Sequence, residues 1–225
     1  QVLGDIDPEE LNEAAQRAIE KFVSQRGGTL VVISGPNSMP HRFETTPLYN
    51  LLPIQRTTNK LIESNAPFRF HLTNDGISSP LLNSLSGDAL TPQSSHNSTW
   101  ERLPKLYWRH AHAHAKPGAT VLAWADDVTE NVDETDRIDR NQDDPSDHKP
   151  ALILWHRYGG GKVLQMNFDQ TWRLRYWNGD ELHHRFWGKV VRWGTEDRLG
   201  LGTDLVRLGL DKTKYKTQES VSVKV

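Results

Sequence analysis

The chain has 225 residues, 36% apolar and 25% charged, enough for one substantial core and room for one domain plus part of a second. Its 27 basic and 29 acidic residues leave a net charge of −2, so no basic excess points to nucleic acid and no polybasic run points to an anionic membrane surface. With no cysteine, disulfides, thiolate metal sites and thiol nucleophiles are excluded together, and no apolar run approaches the roughly 20 residues that span a bilayer.

Val2–Leu3 reads as the tail of a buried strand that ends in Gly4-Asp5. Asp7-Pro8-Glu9-Glu10 predicts a helix start, with Asp7 as N-cap, Pro8 at the first helical position and acids in the first turn. Leu11, Ala14, Ala15, Ala18, Ile19 and Phe22 recur at helical spacing, and Gly27-Gly28 ends the run. Thr29–Ser34 is a continuous β-branched stretch of the kind buried on both faces of a parallel sheet, completing a βαβ unit. Residues 35–56 are loop-like, punctuated by Pro36, Pro40, Pro47 and Pro53, with one helical turn near Leu48–Leu52. Phe68–Leu72 and Ala119–Trp124 read as strands, and an aromatic segment runs from Trp100 to Trp108. The acid-rich residues 126–149 hold almost nothing apolar and predict an exposed, mobile loop. Ala151–His156 and Lys162–Phe168 form a hairpin across Tyr158–Gly161, and Leu182–Glu196 is an amphipathic helix carrying Phe186, Val190, Val191 and Trp193. Beyond Leu199, Val206–Tyr215 and Val221–Val225 resemble the opening strands of a β-sandwich, which places a domain boundary near residue 199. Both ends read as cut from a longer protein.

Three constellations carry possible chemistry. His110, His112 and His114 alternate, so on a strand they share one face about 7 Å apart. Two such imidazoles can hold a metal, but no carboxylate stands at useful spacing, and neither a metal nor another cofactor is expected. His183 and His184, adjacent on a helix, do not share a face and read as capping or surface residues. Asp169, Trp172, Arg173 and Arg175 follow a strand at its carboxyl end, where open α/β sheets bind ligands. The alternating arginines suit a carboxylate or phosphate. The favoured reading is structural: an Asp169–arginine ion pair with Trp172 packed beneath it. The run Gly159–Gly161 is a turn and not a phosphate loop, because a strand follows it.

Several stretches together resemble one family: Leu3–Pro8 (LGDIDP), Gly27–Pro36 (GGTLVVISGP), Trp100–Pro104 (WERLP), Lys116–Ala123 (KPGATVLA), Arg157–Leu164 (RYGGGKVL), Asp169–Arg175 (DQTWRLR), His184–Gly188 (HRFWG) and Arg192-Trp193. The chain resembles the class I glutamine amidotransferase-like domain of large membrane-anchored bacterial proteins that also carry von Willebrand A-type segments. The match covers nearly all of residues 1–199, in order. The resemblance implies an α/β fold: a flavodoxin-like, Rossmann-like three-layer sandwich with a mainly parallel sheet, followed by the start of an Ig-like β-sandwich segment. It also implies a strand and helix upstream of Gln1. Active members use a cysteine on the turn after a central strand, with a histidine and an acid near a later strand. The nucleophile position falls near Ser34 or Gly35, where there is no cysteine, and the histidine position near Asn167–Asp169, where there is no histidine. Glutaminase chemistry is therefore not expected. Ser34 is the fallback nucleophile and Asp169 the fallback acid, but a serine needs a neighbouring base and the motif supplies none.

The leading expectation is a non-catalytic binding or scaffold domain whose partners are the other domains of a larger protein, in the soluble part of a membrane-anchored chain outside the cytoplasm. The alternative is a hydrolase or small-ligand site at the carboxyl edge of the sheet, using Asp169, Asn37 and Arg173 or Arg175, with Asp5 and Trp172 beside them. A third reading, a carbohydrate or small-ligand binder on the tryptophans, requires exposed indole faces.

Overall fold

A computed structural model describes residues 1–56, 63–64, 66–83, 100, 103, 105–110, 114–127 and 150–196, together with residues 209–210 and 223–224. The β-branched run becomes strand β2 (Thr29–Ile33), with Leu30, Val31 and Val32 buried. It pairs in parallel with β1 (Val2–Leu3) on one side. On the other side lies β8 (Gly161–Met166), all of it buried and also parallel. Both faces of β2 are used: Leu30 and Val32 join one core cluster and Val31 the other. This is why the stretch lacks the alternation of a half-exposed strand.

The two clusters define three layers. One face is covered by α1 (Glu13–Ser24) and the short α2 (Pro47–Leu51), which pack Ile19, Val23, Leu48 and Leu51, with Leu11 from the turn ahead of α1, against β2, Val163 and Leu154. The other is covered by the last long helix, Glu181–Thr195, which buries Leu182, Phe186, Val190 and Trp193 against Val31, Leu164 and Met166. Burying a side chain such as Phe186 stabilises by about 1.5–3 kcal/mol.

The expectation of a mainly parallel sheet is corrected. The strand order is β1-β2-β8-β7-β6-β4, and only β1-β2 and β2-β8 are parallel. Strands β7 (Ala151–Tyr158), β6 (Thr120–Asp127) and β4 (Phe68–Leu72) each run antiparallel to the preceding neighbour. The reason is local: the turn after Tyr158 reverses the chain directly into β8, leaving no room for a crossover helix. Gly159 in that turn has φ +58°, and a Cβ there would lie 2.6 Å from the Ser24 carbonyl oxygen, so the turn seats on the end of α1 as only glycine can. Two short pairs lie outside the sheet. One joins β3 (Glu63–Ser64) to β5 (Arg109–His110), and the other joins β9 (Gly209–Leu210) to β10 (Val223–Lys224), both antiparallel. The acidic stretch 128–149 and the boundary near residue 199 lie outside the described residues.

The start of α1 is a second correction. Asp7 caps only a turn, accepting from the Glu9 N–H at 2.9 Å, and the helix begins at Glu13 with Asn12 as its cap, accepting from the Ala15 N–H at 2.9 Å. Its buried face is not the alanine stripe: Ala14 and Ala18 are exposed, whereas Gln16 is buried. Gln16 is kept inside by two bonds, donating to the Leu11 carbonyl at 2.8 Å and accepting from the Leu48 N–H at 3.3 Å, and so joins α1 to α2.

Candidate functional site

The carboxyl ends of β1, β2 and β8 lie side by side and deliver Asp5, Ser34–Met39 and Asn167–Asp169 to one edge. Asp5 is the hub of the first two. Its Oδ2 accepts from the backbone N–H and side-chain amide of Asn37, both at 2.8 Å, and its Oδ1 accepts from the N–H groups of Ser38 and Met39, both at 2.7 Å. Burial works to raise the Asp5 carboxyl, but the Met39, Asn37 and Ser38 amides outweigh it and hold the group below the usual value of 3.8. Gly35 is required beneath it, because a Cβ there would stand 2.4 Å from the Asp5 Cβ and Cγ. Asp5 thus serves as a clamp on the loop after β2. With four donors already bound it is a poor ligand for anything else.

Ser34 closes the second half of the edge. It is 0% exposed, and its Oγ lies 3.2 Å from Asn167 Oδ1 and 3.4 Å from Gln165 Nε2. The Gln165 amide also donates to Asn167 Oδ1 at 2.8 Å, and Asn167 Nδ2 donates to the Ala151 carbonyl at 2.8 Å. All three side chains are sealed from solvent, so Ser34 has amide partners, no base and no open face. Sequence reasoning missed Gln165 and Asn167. The signal was there, since Gln165 interrupts the apolar run of β8 and Asn167 directly follows its last residue.

Asp169 occupies the position before the 3-10 turn Gln170–Leu174 without a side-chain capping bond and is half-buried. Its Oδ1 is closed off from solvent and no protein group donates to it. Burial pushes this carboxyl above 3.8, and the charge of Asp5 pushes the same way; the residue's own N–H and Arg173 pull back without cancelling them. The expected Asp169–arginine ion pair over a packed indole is not formed. Arg173 instead lies between two rings, its guanidinium carbon 5.1 Å from the Tyr107 centroid and 5.0 Å from that of Trp172. Arg175 pairs with Asp180 at 3.2 Å. Trp172 is 44% exposed. The physical cause is the backbone: Gln170–Leu174 is helical and not extended, so positions 173 and 175 do not share a face. Tyr107, which sequence reasoning also missed, is fastened here by its N–H donating to Gln170 Oε1 at 3.0 Å.

The histidine row is likewise corrected. His110 is buried in β5, with its N–H donating to the Asn167 carbonyl at 2.9 Å, while His114 is exposed and His112 lies outside the described residues. His110 and His114 therefore present no common surface. Among the described residues no three His, Asp or Glu side chains gather as they would around a metal ion. His183 is held below the usual imidazole value by burial first, then by Arg175 and His184.

Two hollows accompany the edge. A void of about 10 Å³ between Phe70, Trp100, Phe168, Phe186 and Arg173 has room for at most one water. A wide groove of about 830 Å³ opens at the opposite, amino end of β6, lined by Thr73, Asp75, His114, Lys116 and Thr120. It brings none of the carboxyl-edge residues together.

No family model matches the chain, and no curated protein matches it. Among solved structures it is similar to the cytoplasmic protein STM3548 from Salmonella typhimurium, at 15% identity and a TM-score of 0.54 over 85% of this chain and 70% of that one. It is also similar to the cytoplasmic protein STM1381 from Salmonella typhimurium LT2, at 17% identity and a TM-score of 0.55 over 86% and 70%. Among the described residues no helix is long and apolar enough to cross a membrane. At these identities the likeness establishes the fold alone: an α/β domain built on a mixed sheet of six strands.

Proposed function

We propose that the chain is a non-catalytic binding or scaffold domain of the class I glutamine amidotransferase-like type, with a flavodoxin-like arrangement of layers, working among the other domains of a larger, membrane-anchored protein. One observation carries this reading: the side chain at the expected nucleophile position, Ser34, is 0% exposed and bonded to the amides of Gln165 and Asn167. A nucleophile needs access to the substrate and a base to take its proton, and Ser34 has neither. The neighbouring carboxylate, Asp5, is committed to the loop it holds.

The test is ammonia release from glutamine by the purified chain. The expected result is a rate equal to the buffer blank over hours. Release above the blank that scales with protein concentration contradicts the reading. The edge retains the Arg173 guanidinium, without an ion-pair partner among the described residues, beside the exposed rings of Tyr107 and Trp172. They favour binding over hydrolysis as its use, because a hydrolase would need a nucleophile or an activated water within reach of an acid–base pair.

A further inference from the structure

Arg173 differs from the arginines that form ion pairs. Arg17 pairs with Glu13, Arg42 with Asp7, Arg175 with Asp180 and Arg185 with Glu181. Among the described residues no group accepts a hydrogen bond from Arg173 and no carboxylate reaches ion-pair distance, although it is half-buried and its Nε is closed off from solvent. Asp169 interacts with it electrostatically but stops short of a bond. The Tyr107 and Trp172 rings lie 5.1 and 5.0 Å from the guanidinium carbon, within cation–π reach, and restrict its movement. A planar fork with its donors unused, already oriented, loses little further entropy when it meets an anion.

The surroundings select the anion. Tyr107, Trp172 and Tyr176 are 45%, 44% and 74% exposed, three of the large hydrophobic side chains left on the surface. Trp172 and Tyr176 meet edge to face at 5.6 Å, giving the fork a wall of ring surface. Arg175, the nearest cation in sequence, is already paired with Asp180, and the Asp169 charge lies close by. One guanidinium beside a carboxylate offers too little positive charge to favour a dianion and suits a monoanion better.

We propose that Arg173, held between Tyr107 and Trp172, is the anchor of a binding site for a monocarboxylate carried on a six-membered ring. The carboxylate takes the guanidinium and the ring lies against the indole and phenol surfaces. Such a ligand is either a uronic acid sugar or an aromatic acid. The inference deepens the binding reading of this edge. It is independent of the ammonia test, so either can fail alone.

Calorimetric titration of the whole chain with D-glucuronate, benzoate, D-glucose and inorganic phosphate decides it. Saturable binding of glucuronate or benzoate is expected, with Kd on the order of 1 mM for so small a probe. Glucose and phosphate should bind at least about tenfold more weakly, a difference of roughly 1.4 kcal/mol. Tighter glucuronate assigns the sugar acid, and tighter benzoate the aromatic acid. Arg173→Met should abolish the heat. Arg173→Lys, which keeps the charge and the stem, should still lose about fivefold or more because an ammonium cannot offer the fork. The proposal is overturned by phosphate binding as well as the ring acids, by no saturation with either ring acid, or by an Arg173→Lys protein of unchanged unfolding midpoint that binds as the parent does.

Discussion

Asp5→Ala removes one carboxylate and leaves the backbone N–H groups of Asn37, Ser38 and Met39 without their acceptor. Asn37 is exposed, so its N–H turns to water, but Ser38 and Met39 are 2% and 0% exposed and their amides have no such recourse. Each buried donor left unpaired costs about 1–3 kcal/mol, which brackets the loss at roughly 2–6 kcal/mol. Asp5 is itself only partly shielded, and water entering the vacated space reduces the expectation to about 3 kcal/mol, a large share of the roughly 5–15 kcal/mol that holds a domain. Urea unfolding followed by tryptophan fluorescence should show the midpoint falling with the slope unchanged. Asp5→Asn, with one accepting oxygen, should lose less. Its deficit must also depend on pH. The folded carboxyl titrates below 3.8, so the stability that Asp5 adds is present above that value and disappears as pH falls through the folded-state value. The gap between parent and Asp5→Asn should therefore narrow in acid. An Asp5→Ala loss under about 1 kcal/mol, or a gap that widens in acid, would refute the reasoning.

Gly35→Ala places a methyl 2.4 Å from the Asp5 side chain and should destabilise by at least about 2 kcal/mol, read as a lower urea midpoint. Asn167→Ala removes the acceptor shared by the Gln165 amide and the Ser34 hydroxyl and the amide that donates to the Ala151 carbonyl, leaving only the 3.4 Å Gln165–Ser34 contact inside a sealed layer, and should cost about 2–4 kcal/mol in the same assay. Asp169 runs opposite to Asp5. Its folded-state value is raised, so its charge opposes folding at neutral pH and that cost vanishes as the group protonates. Asp169→Asn should therefore be more stable than the parent at pH 7, with the advantage closing toward pH 4; an advantage that grows in acid would contradict the assignment.

The elements that come from short-range pattern were legible in the chain. The run Thr29–Ile33 shows as a doubly buried strand by its unbroken β-branched character, and Glu181–Thr195 shows as a helix by its apolar spacing. The antiparallel pair across Tyr158–Gly161 was legible as a hairpin, but the antiparallel directions of Thr120–Asp127 and Phe68–Leu72 did not show, because no tight turn joins either to its neighbour in the sheet. The helix start was misplaced because Asp7-Pro8 carries the chemistry of a cap and does cap a turn, while Asn12 competes and wins. In the site, Asp5 and Asn37 were picked out as neighbours of a strand end, but their role as clamp and clamped loop depends on a contact 32 residues long that no local pattern encodes. The misreading of Arg173 and Arg175 has the same root. Alternation means one face only on a strand, and the segment coils. Tyr107 reaches the site through a contact 63 residues away, which leaves no trace in its own neighbourhood.

The account rests on a sealed position at the end of β2, and the absence of any native cysteine makes it directly measurable. Ser34→Cys places a thiol at the expected nucleophile position, the one thiol of the chain. A thiol reagent should modify it at least about a thousandfold more slowly in the folded protein than in urea, since reaction requires an opening that costs roughly 4 kcal/mol or more. The same protein should release no ammonia from glutamine. Modification of the folded protein at the rate of an exposed thiol, or ammonia release above the buffer blank, would contradict the central claim.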